Sequence, residues 1–225
     1  HQEGISFIIF PMTLPGIKIS PLPTLDGPAE GAQEINQVFF EDVRVPIAEA
    51  LVGEENKGWT YAKYLLQFER GNAYAPGLRA MLNKARKIAS VEEADGEALI
   101  RDTDFARKMA QLEIKIDSLD ATEQRIFSAL SAGQAVGPES SMLKCAGSET
   151  QQAITELVVE AAGTYGAPFV RDNFALAREG ANADLPFPSY SVTAVPSYLN
   201  YRKTSIYAGS NEIQRNIMAK MVLGL

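Results

Sequence analysis

Phe105, Met109, Leu112, Ile116, Leu119, Ile126 and Leu130 follow one another at alternating steps of four and three residues, with Glu123 filling the one gap. A strand sends alternate residues to opposite faces, so it cannot keep such a series on one side. An α-helix can. The series runs for nearly four heptads, which predicts a long helix buried along one seam of an antiparallel bundle. Glu123 interrupts that seam. Its neighbours three and four residues away offer no cation, so it is read as a structural carboxylate that pairs across the bundle or marks an exposed stretch of the seam.

The text changes character near residue 57. Residues 1–56 hold half of the prolines and several β-branched or aromatic clusters. Ile5 to Phe10 reads as a buried strand, Gly16 to Ser20 alternates as a half-buried one, and Gln37–Phe40 with Val43–Val45 reads as a third, closed by Pro46. Three strands are too few for an independent sheet core. The chain opens on His1-Gln2-Glu3-Gly4 with no methionine and no leader, so residues 1–56 are expected to be the end of a β domain whose earlier part lies upstream. Residues 57–225 read as helical. Trp59 to about Ala89 predicts a long helix kinked or broken at Pro76. Gly137-Pro138-Glu139-Ser140 starts another, with an apolar line through Met142, Ala146, Ala153, Leu157 and Ala161 and a stop at Gly163. Residues 164–196 read as a long loop, and Tyr198–Ile206 and Asn211–Leu223 as two closing helices. The fold class is mainly α.

Composition narrows the functions such a bundle can serve. The chain has 225 residues, 46% of them hydrophobic, with a net charge of −7. A general nucleic-acid binder needs a basic face, which this balance argues against. The single cysteine, Cys145, excludes a disulfide framework and reads as packing. The single histidine, His1, leaves no histidine-based triad or zinc site, and no metal centre is expected. No apolar run is long enough to span a bilayer, and no signal peptide is visible, so a cytoplasmic setting is expected.

Three strings could carry chemistry. In Phe68-Glu69-Arg70-Gly71, Glu69 falls on a helical stripe with Trp59, Ala62, Leu66 and Ala73. A carboxylate there is either held in an ion pair, with Arg70 or another arginine, or is a general base whose pKa rises by desolvation. Ala208-Gly209-Ser210-Asn211-Glu212-Ile213-Gln214-Arg215 is a turn and N-cap opening a helix, and helix N-termini also receive anions. Gly163-Thr164-Tyr165-Gly166 is a helix C-cap, or a place where backbone approaches a flat ligand. Trp59, Tyr61 and Tyr64 read as core rather than as a cofactor box.

Two longer stretches change this reading. Phe39-Phe40-Glu41-Asp42-Val43-Arg44-Val45-Pro46 with Leu51 to Trp59, and Ser205 to Ile217 with the closing Leu223-Gly224-Leu225, resemble the acyl-CoA dehydrogenase family. The resemblance covers essentially the whole chain. It implies the last strands of a β-barrel-like middle domain (residues 1–56) followed by the family's C-terminal four-helix-bundle-type domain (residues 57–225).

The resemblance also implies an activity. The family uses FAD to oxidise an acyl-CoA thioester at its α,β carbons, a carboxylate removing the α proton while hydride leaves the β carbon for flavin N5. Electrons usually pass on to an electron-transferring flavoprotein, and a homo- or heterotetramer is expected. Many members carry the base just before the glycine of a Tyr-x-Gly-Ser/Thr string, where this chain has Ala208. A minority carry it on the first long helix before an arginine, which is Glu69 here. Glu123 matches neither position. Gly163, Ser210, Asn211, Glu212 and Gln214 fall on the family's FAD contacts. Val159 and Ala162 depart from its Gln-x-x-Gly-Gly string, and Ile88-Ala89-Ser90-Val91-Glu92-Glu93 from its Arg-x-x-Phe-Gly string. These departures resemble the large subunit of pimeloyl-CoA-type dehydrogenases, for which bulkier or dicarboxylic acyl groups are expected. The alternative is a non-catalytic partner subunit of a heteromeric enzyme.

Overall fold

A computed structural model describes the chain except residues 1–2, 29–32, 69–72, 136, 171–175 and 177–183 and the side chains of residues 67 and 68. The chain divides into two compact units, His1–Pro23 with Gly31–Gly71, and Thr24–Glu30 with Asn72–Leu225.

The first unit is built on a hairpin. Strand β1 (Ile17–Pro21) pairs antiparallel with β2 (Asn36–Phe40), Ile19 opposite Val38. Asp42, at φ 50°, turns the backbone out of register. Val43–Val45 therefore forms no third strand. The expected Ile5–Phe10 strand is also corrected. It makes a single bridge, Ile8 to Leu51, and Ile8 and Ile9 are exposed. Its partner segment explains this. Leu51 lies between the four-residue helix α1 (Ile47–Ala50) and the turn at residues 53–56, so the ladder can extend in neither direction. Helix α2 (Gly58–Phe68) closes the unit. Trp59 and Tyr64 on it are exposed rather than core residues.

The second unit is a helical bundle. Its helices are α3 (Ala75–Val91), α4 (Thr103–Ser131), α5 (Glu139–Ala162), α6 (Ala194–Tyr201) and α7 (Asn211–Met218). A two-residue hairpin, β3 (Glu93–Ala94) with β4 (Glu97–Ala98), links α3 to α4. The seam of α4 is buried over its first five positions: Phe105, Met109, Leu112, Ile116 and Leu119 join Leu78, Leu82, Ala85 and Ile88 of α3 and Leu143, Ile154, Leu157 and Ala161 of α5 in one core. Ile126 is only partly buried and Leu130, expected on the same seam, is exposed. Asp102 opens α4, its side chain accepting the Phe105 N–H at 2.8 Å.

Glu123 is buried in this seam at 2% exposure. Its carboxylate accepts the backbone N–H of Tyr74 at 2.6 Å and of Ala75 at 3.1 Å. Those are the N-cap and first residues of α3. Glu123 thus pairs across the bundle with a helix N-terminus instead of a cation, where free N–H groups and the helix dipole favour negative charge. Pro76 follows in the first turn, where its missing N–H costs nothing. The break falls ahead of Pro76: residues 73 and 74 are not helical and α3 starts afresh at Ala75.

Helix α5 is central and packs against α3, α4, α6 and α7. Its buried surface consequently covers more than one stripe. Ser141, Lys144, Cys145, Ser148 and Thr150 are buried together with Leu143, Ile154 and Leu157, whereas Met142, expected on the apolar line, is exposed. Gly147 lets α3 approach: a Cβ there would fall 2.5 Å from the Tyr74 ring. Arg202 ties the end of α6 to α5, donating to Glu156 Oε1 at 2.8 Å and to the Gln152 carbonyl at 2.9 Å, with its guanidinium 4.2 Å over the Tyr198 ring. The stretch expected as a loop includes 3₁₀ turns at Gly163–Gly166 and Ser189–Thr193, and α6 begins earlier than expected, at Ala194. A π-helical turn (Ala219–Leu223) extends α7. No described helix is long and apolar enough to cross a membrane.

Removing the Glu123 carboxylate strands two buried N–H donors. Glu123→Ala should lower unfolding free energy by about 3 kcal/mol, and Glu123→Gln, which keeps an acceptor oxygen, by about 1 kcal/mol. Denaturant midpoints at constant m-value check both. Equal losses in the two variants would mean that the carbonyl oxygen is not what α3 requires.

Candidate functional site

Glu69, with Arg70 and Gly71, lies outside the described residues, as does Asn72. The described part of α2 ends one residue before it.

The turn ahead of α7 is fully described. Ala208 at φ 54° and Gly209 at φ 78° are two successive left-handed residues. The second is glycine, which takes this φ without strain; a Cβ there would also displace the Gln214 amide, 2.5 Å away. Gln214 folds back over the turn, its amide donating to the carbonyls of Ala208 and Gly209 at 3.5 and 3.4 Å. Ser210 is the N-cap of α7, its hydroxyl accepting the Ile213 N–H at 3.4 Å. Glu212 stands exposed in the first turn. Hydrogen bonds from its own backbone N–H and from the Ser210 hydroxyl hold its carboxyl below the usual range. Asn211 behaves differently from its neighbours: it is 3% exposed and its side chain is turned into the bundle. There its Oδ1 accepts from Lys144 Nζ at 2.8 Å and from Ser148 Oγ at 3.2 Å.

Gly163 caps α5 at φ 52°, ψ −131°, and opens the 3₁₀ turn Gly163–Gly166. The space where its Cβ would stand is open. The structure does not bring this turn together with the Ala208–Ser210 turn. Asn211 meets α5 at residues 144–149, and fifteen further residues of helix, roughly 22 Å, separate Ser148 from Gly163.

Sequence reasoning found the turn and its cap but missed Lys144, Ser148 and Glu149. The signal was present. Ser141, Lys144 and Ser148 stand at i, i+3 and i+7, a polar line on a helix whose other faces bury apolar residues. Cys145 packs as expected, and burial pushes its thiol up, so it is not activated. Among the described residues no group of three or more His, Cys, Asp or Glu could hold a metal ion.

Comparison with known proteins places this architecture. Residues 56–223 match the model of the acyl-CoA dehydrogenase C-terminal domain. Acyl-CoA dehydrogenase IpdE1 of Mycobacterium tuberculosis is 30% identical over 233 residues, covering all of this chain and 52% of that protein. The rat mitochondrial short-chain specific acyl-CoA dehydrogenase is 27% identical, covering 99% of this chain and 49% of its own. Among solved structures, the ChsE4–ChsE5 complex from Mycobacterium tuberculosis superposes with a TM-score of 0.76 at 25% identity, covering all of this chain and 54% of that one. The chain spans about half the length of the curated relatives it matches. A bundle of this connectivity and a family match over three-quarters of the sequence give one conclusion: the chain belongs to the acyl-CoA dehydrogenase family.

The turn makes a paired prediction of opposite sign. Ala208→Gly should stabilise by about 0.5–1 kcal/mol, because glycine adopts positive φ without steric cost. Gly209→Ala should destabilise by about 2 kcal/mol, combining backbone strain with displacement of Gln214. Thermal melts of the two variants read both effects, and a common direction of shift would contradict the turn's geometry.

Proposed function

We propose that the protein carrying this chain is an FAD-dependent acyl-CoA dehydrogenase in which Glu69 removes the α proton of the thioester. One observation carries the choice of base. Two glutamates interrupt apolar stripes, and Glu123 is buried and engaged by the N-terminus of α3, through the N–H groups of Tyr74 and Ala75. At the position where many members hold the base, Ala208 offers only a methyl group. Glu69 remains. Its carboxylate takes the α proton onto an oxygen.

FAD, when bound, supplies the acceptor for the hydride that leaves the β carbon, so that the acyl thioester becomes the enoyl thioester. The residues present suit such a group. The open space at Gly163 admits a flat ligand close to the backbone. At α7 the helix dipole favours an anion, while the N–H groups of Glu212 and Ile213 are already bonded by the Glu212 carboxylate and the Ser210 hydroxyl. Gly163, Ser210, Asn211, Glu212 and Gln214 are the residues we assign to it. Asn211 and Gln214 are bonded within the chain, so they contribute by fixing the turn. We further infer an acyl-CoA substrate, an electron-transferring flavoprotein as acceptor, a tetrameric assembly and a cytoplasmic setting. Residues 1–56 are assigned to the end of a β domain and 57–225 to the helical domain.

A second reading is favoured by the likeness to the two-component ChsE4–ChsE5 complex and by Val159 and Ala162, which break the family's glycine-rich string. In that reading the chain belongs to a non-catalytic subunit completing a partner's site.

Anaerobic titration of the full protein with a panel of acyl-CoAs separates the two. Bleaching of the flavin spectrum supports the dehydrogenase. Glu69→Gln should keep flavin and ligand bound while slowing reduction by about 10²–10⁴-fold. Near-normal reduction in that variant would exclude Glu69 as base. A flavin that no acyl-CoA bleaches, or none at all, assigns the partner-subunit role.

A further inference from the structure

Four residues on successive turns of α5 converge on the first residue of α7. Lys144 Nζ donates to Asn211 Oδ1 at 2.8 Å, and the Ser148 hydroxyl, whose one proton also reaches the Cys145 carbonyl at 3.0 Å, lies 3.2 Å from the same oxygen. The Asn211 amide donates in turn to Glu149 Oε1 at 3.5 Å, and the Asn211 carbonyl accepts from Cys145 Sγ at 3.6 Å. Both ends of the Asn211 side-chain amide are thus engaged by α5. Arg215, one turn further along α7, pairs with the same Glu149 carboxylate.

Lys144 is the unusual member. It is 7% exposed, and among the described residues no carboxylate lies within ion-pair distance of its ammonium. Its hydrogen-bond partner is a neutral amide, and the Glu212 carboxylate acts on it only through space, without an ion-pair contact. A buried ammonium so placed costs stability relative to an apolar side chain, and a methionine would fill the same space without that cost. What the ammonium adds is direction. Its charge-assisted hydrogen bond, with that of Ser148, fixes Oδ1 on one side of the amide and the NH₂ group on the side of Glu149. Asn211 is left with one orientation. Asn211 directly follows the Ala208–Ser210 turn, which contains a left-handed alanine and would otherwise relax.

We propose that Lys144 is a positioning residue: by clamping Asn211 it holds the turn from Ala208 to Glu212 in the conformation that receives the flavin nucleotide. The role in flavin binding rests on the flavoprotein reading above, whereas the clamp itself does not.

The test uses Lys144→Met in the full protein, with three measurements. Amide hydrogen exchange of the apoprotein at residues 209–213 should accelerate about tenfold. The FAD dissociation constant, read by flavin fluorescence quenching, should rise about tenfold. The melting temperature of the apoprotein should stay level or increase, because a buried charge is gone. A merely structural lysine would do the reverse, lowering the melting temperature and leaving FAD affinity alone. Ser148→Ala, which removes the second donor to Oδ1, should move exchange and affinity in the same direction by a smaller factor, and it decides the matter if Lys144→Met does not fold. Unchanged exchange at residues 209–213 overturns the clamp. Faster exchange with unchanged FAD affinity overturns its role in binding. A wild-type protein that takes up no FAD overturns the flavoprotein reading and that role together, while the exchange measurement still reports on the clamp.

Discussion

A single carboxylate in the wrong-looking place governs the bundle. Glu123 stands on the apolar seam of α4, where a charge costs several kcal/mol unless it is fully compensated. Compensation comes from the N-terminus of α3, through the N–H groups of Tyr74 and Ala75. The contact joins residues 48 and 49 positions apart, so it fixes the start of α3 against the middle of α4. Everything downstream in α3 then follows: Pro76 falls in the tolerated first turn, and Leu78, Leu82, Ala85 and Ile88 meet the α4 seam in register. Glu123 is a specificity device in the packing, directing one helix end to one place.

The same logic recurs on α5, with opposite charge. A helix surrounded by four others cannot confine its polar residues to a solvent face. Of its buried polar groups, Thr150 and Thr155 bond back to their own helix, whereas Lys144 and Ser148 reach Asn211. These two contacts each involve a helix N-terminus: a tertiary carboxylate at α3, and a side-chain amide gripped at α7. Helix ends carry unsatisfied backbone groups that must be dealt with somewhere, and in this bundle those ends are where polar residues of neighbouring helices are spent.

Much of this was legible in the sequence. The alternating four- and three-residue spacing of α4 gave a buried helix because that periodicity has one geometric solution, and Ser210 gave the N-cap of α7 because capping is local. The β region was read less well. Ile5–Phe10 has the composition of a buried strand, yet a strand exists only through its partner, and Leu51 sits between a helix and a turn. The aromatic residues of α2 were misjudged for the same reason: spacing tells which residues share a face, not what covers that face. Pro76 fits either a break within a helix or the start of one, since its missing N–H suits both, and here it lies in the first turn of α3.

The sequence by itself determined the helical periods, the caps, the family, and the two carboxylates worth weighing as a base. It determined these because each depends on residues a few positions apart or on strings matched in order. The tertiary structure alone decided that Glu123 belongs to a helix terminus and that Asn211 belongs to the bundle interior. Both outcomes hinge on backbone or side-chain groups about fifty or more residues away, brought within hydrogen-bonding distance only when the helices pack. No local pattern encodes which buried donor meets which buried acceptor. That pairing is settled by burial, which makes an unmatched polar group too costly to leave in place.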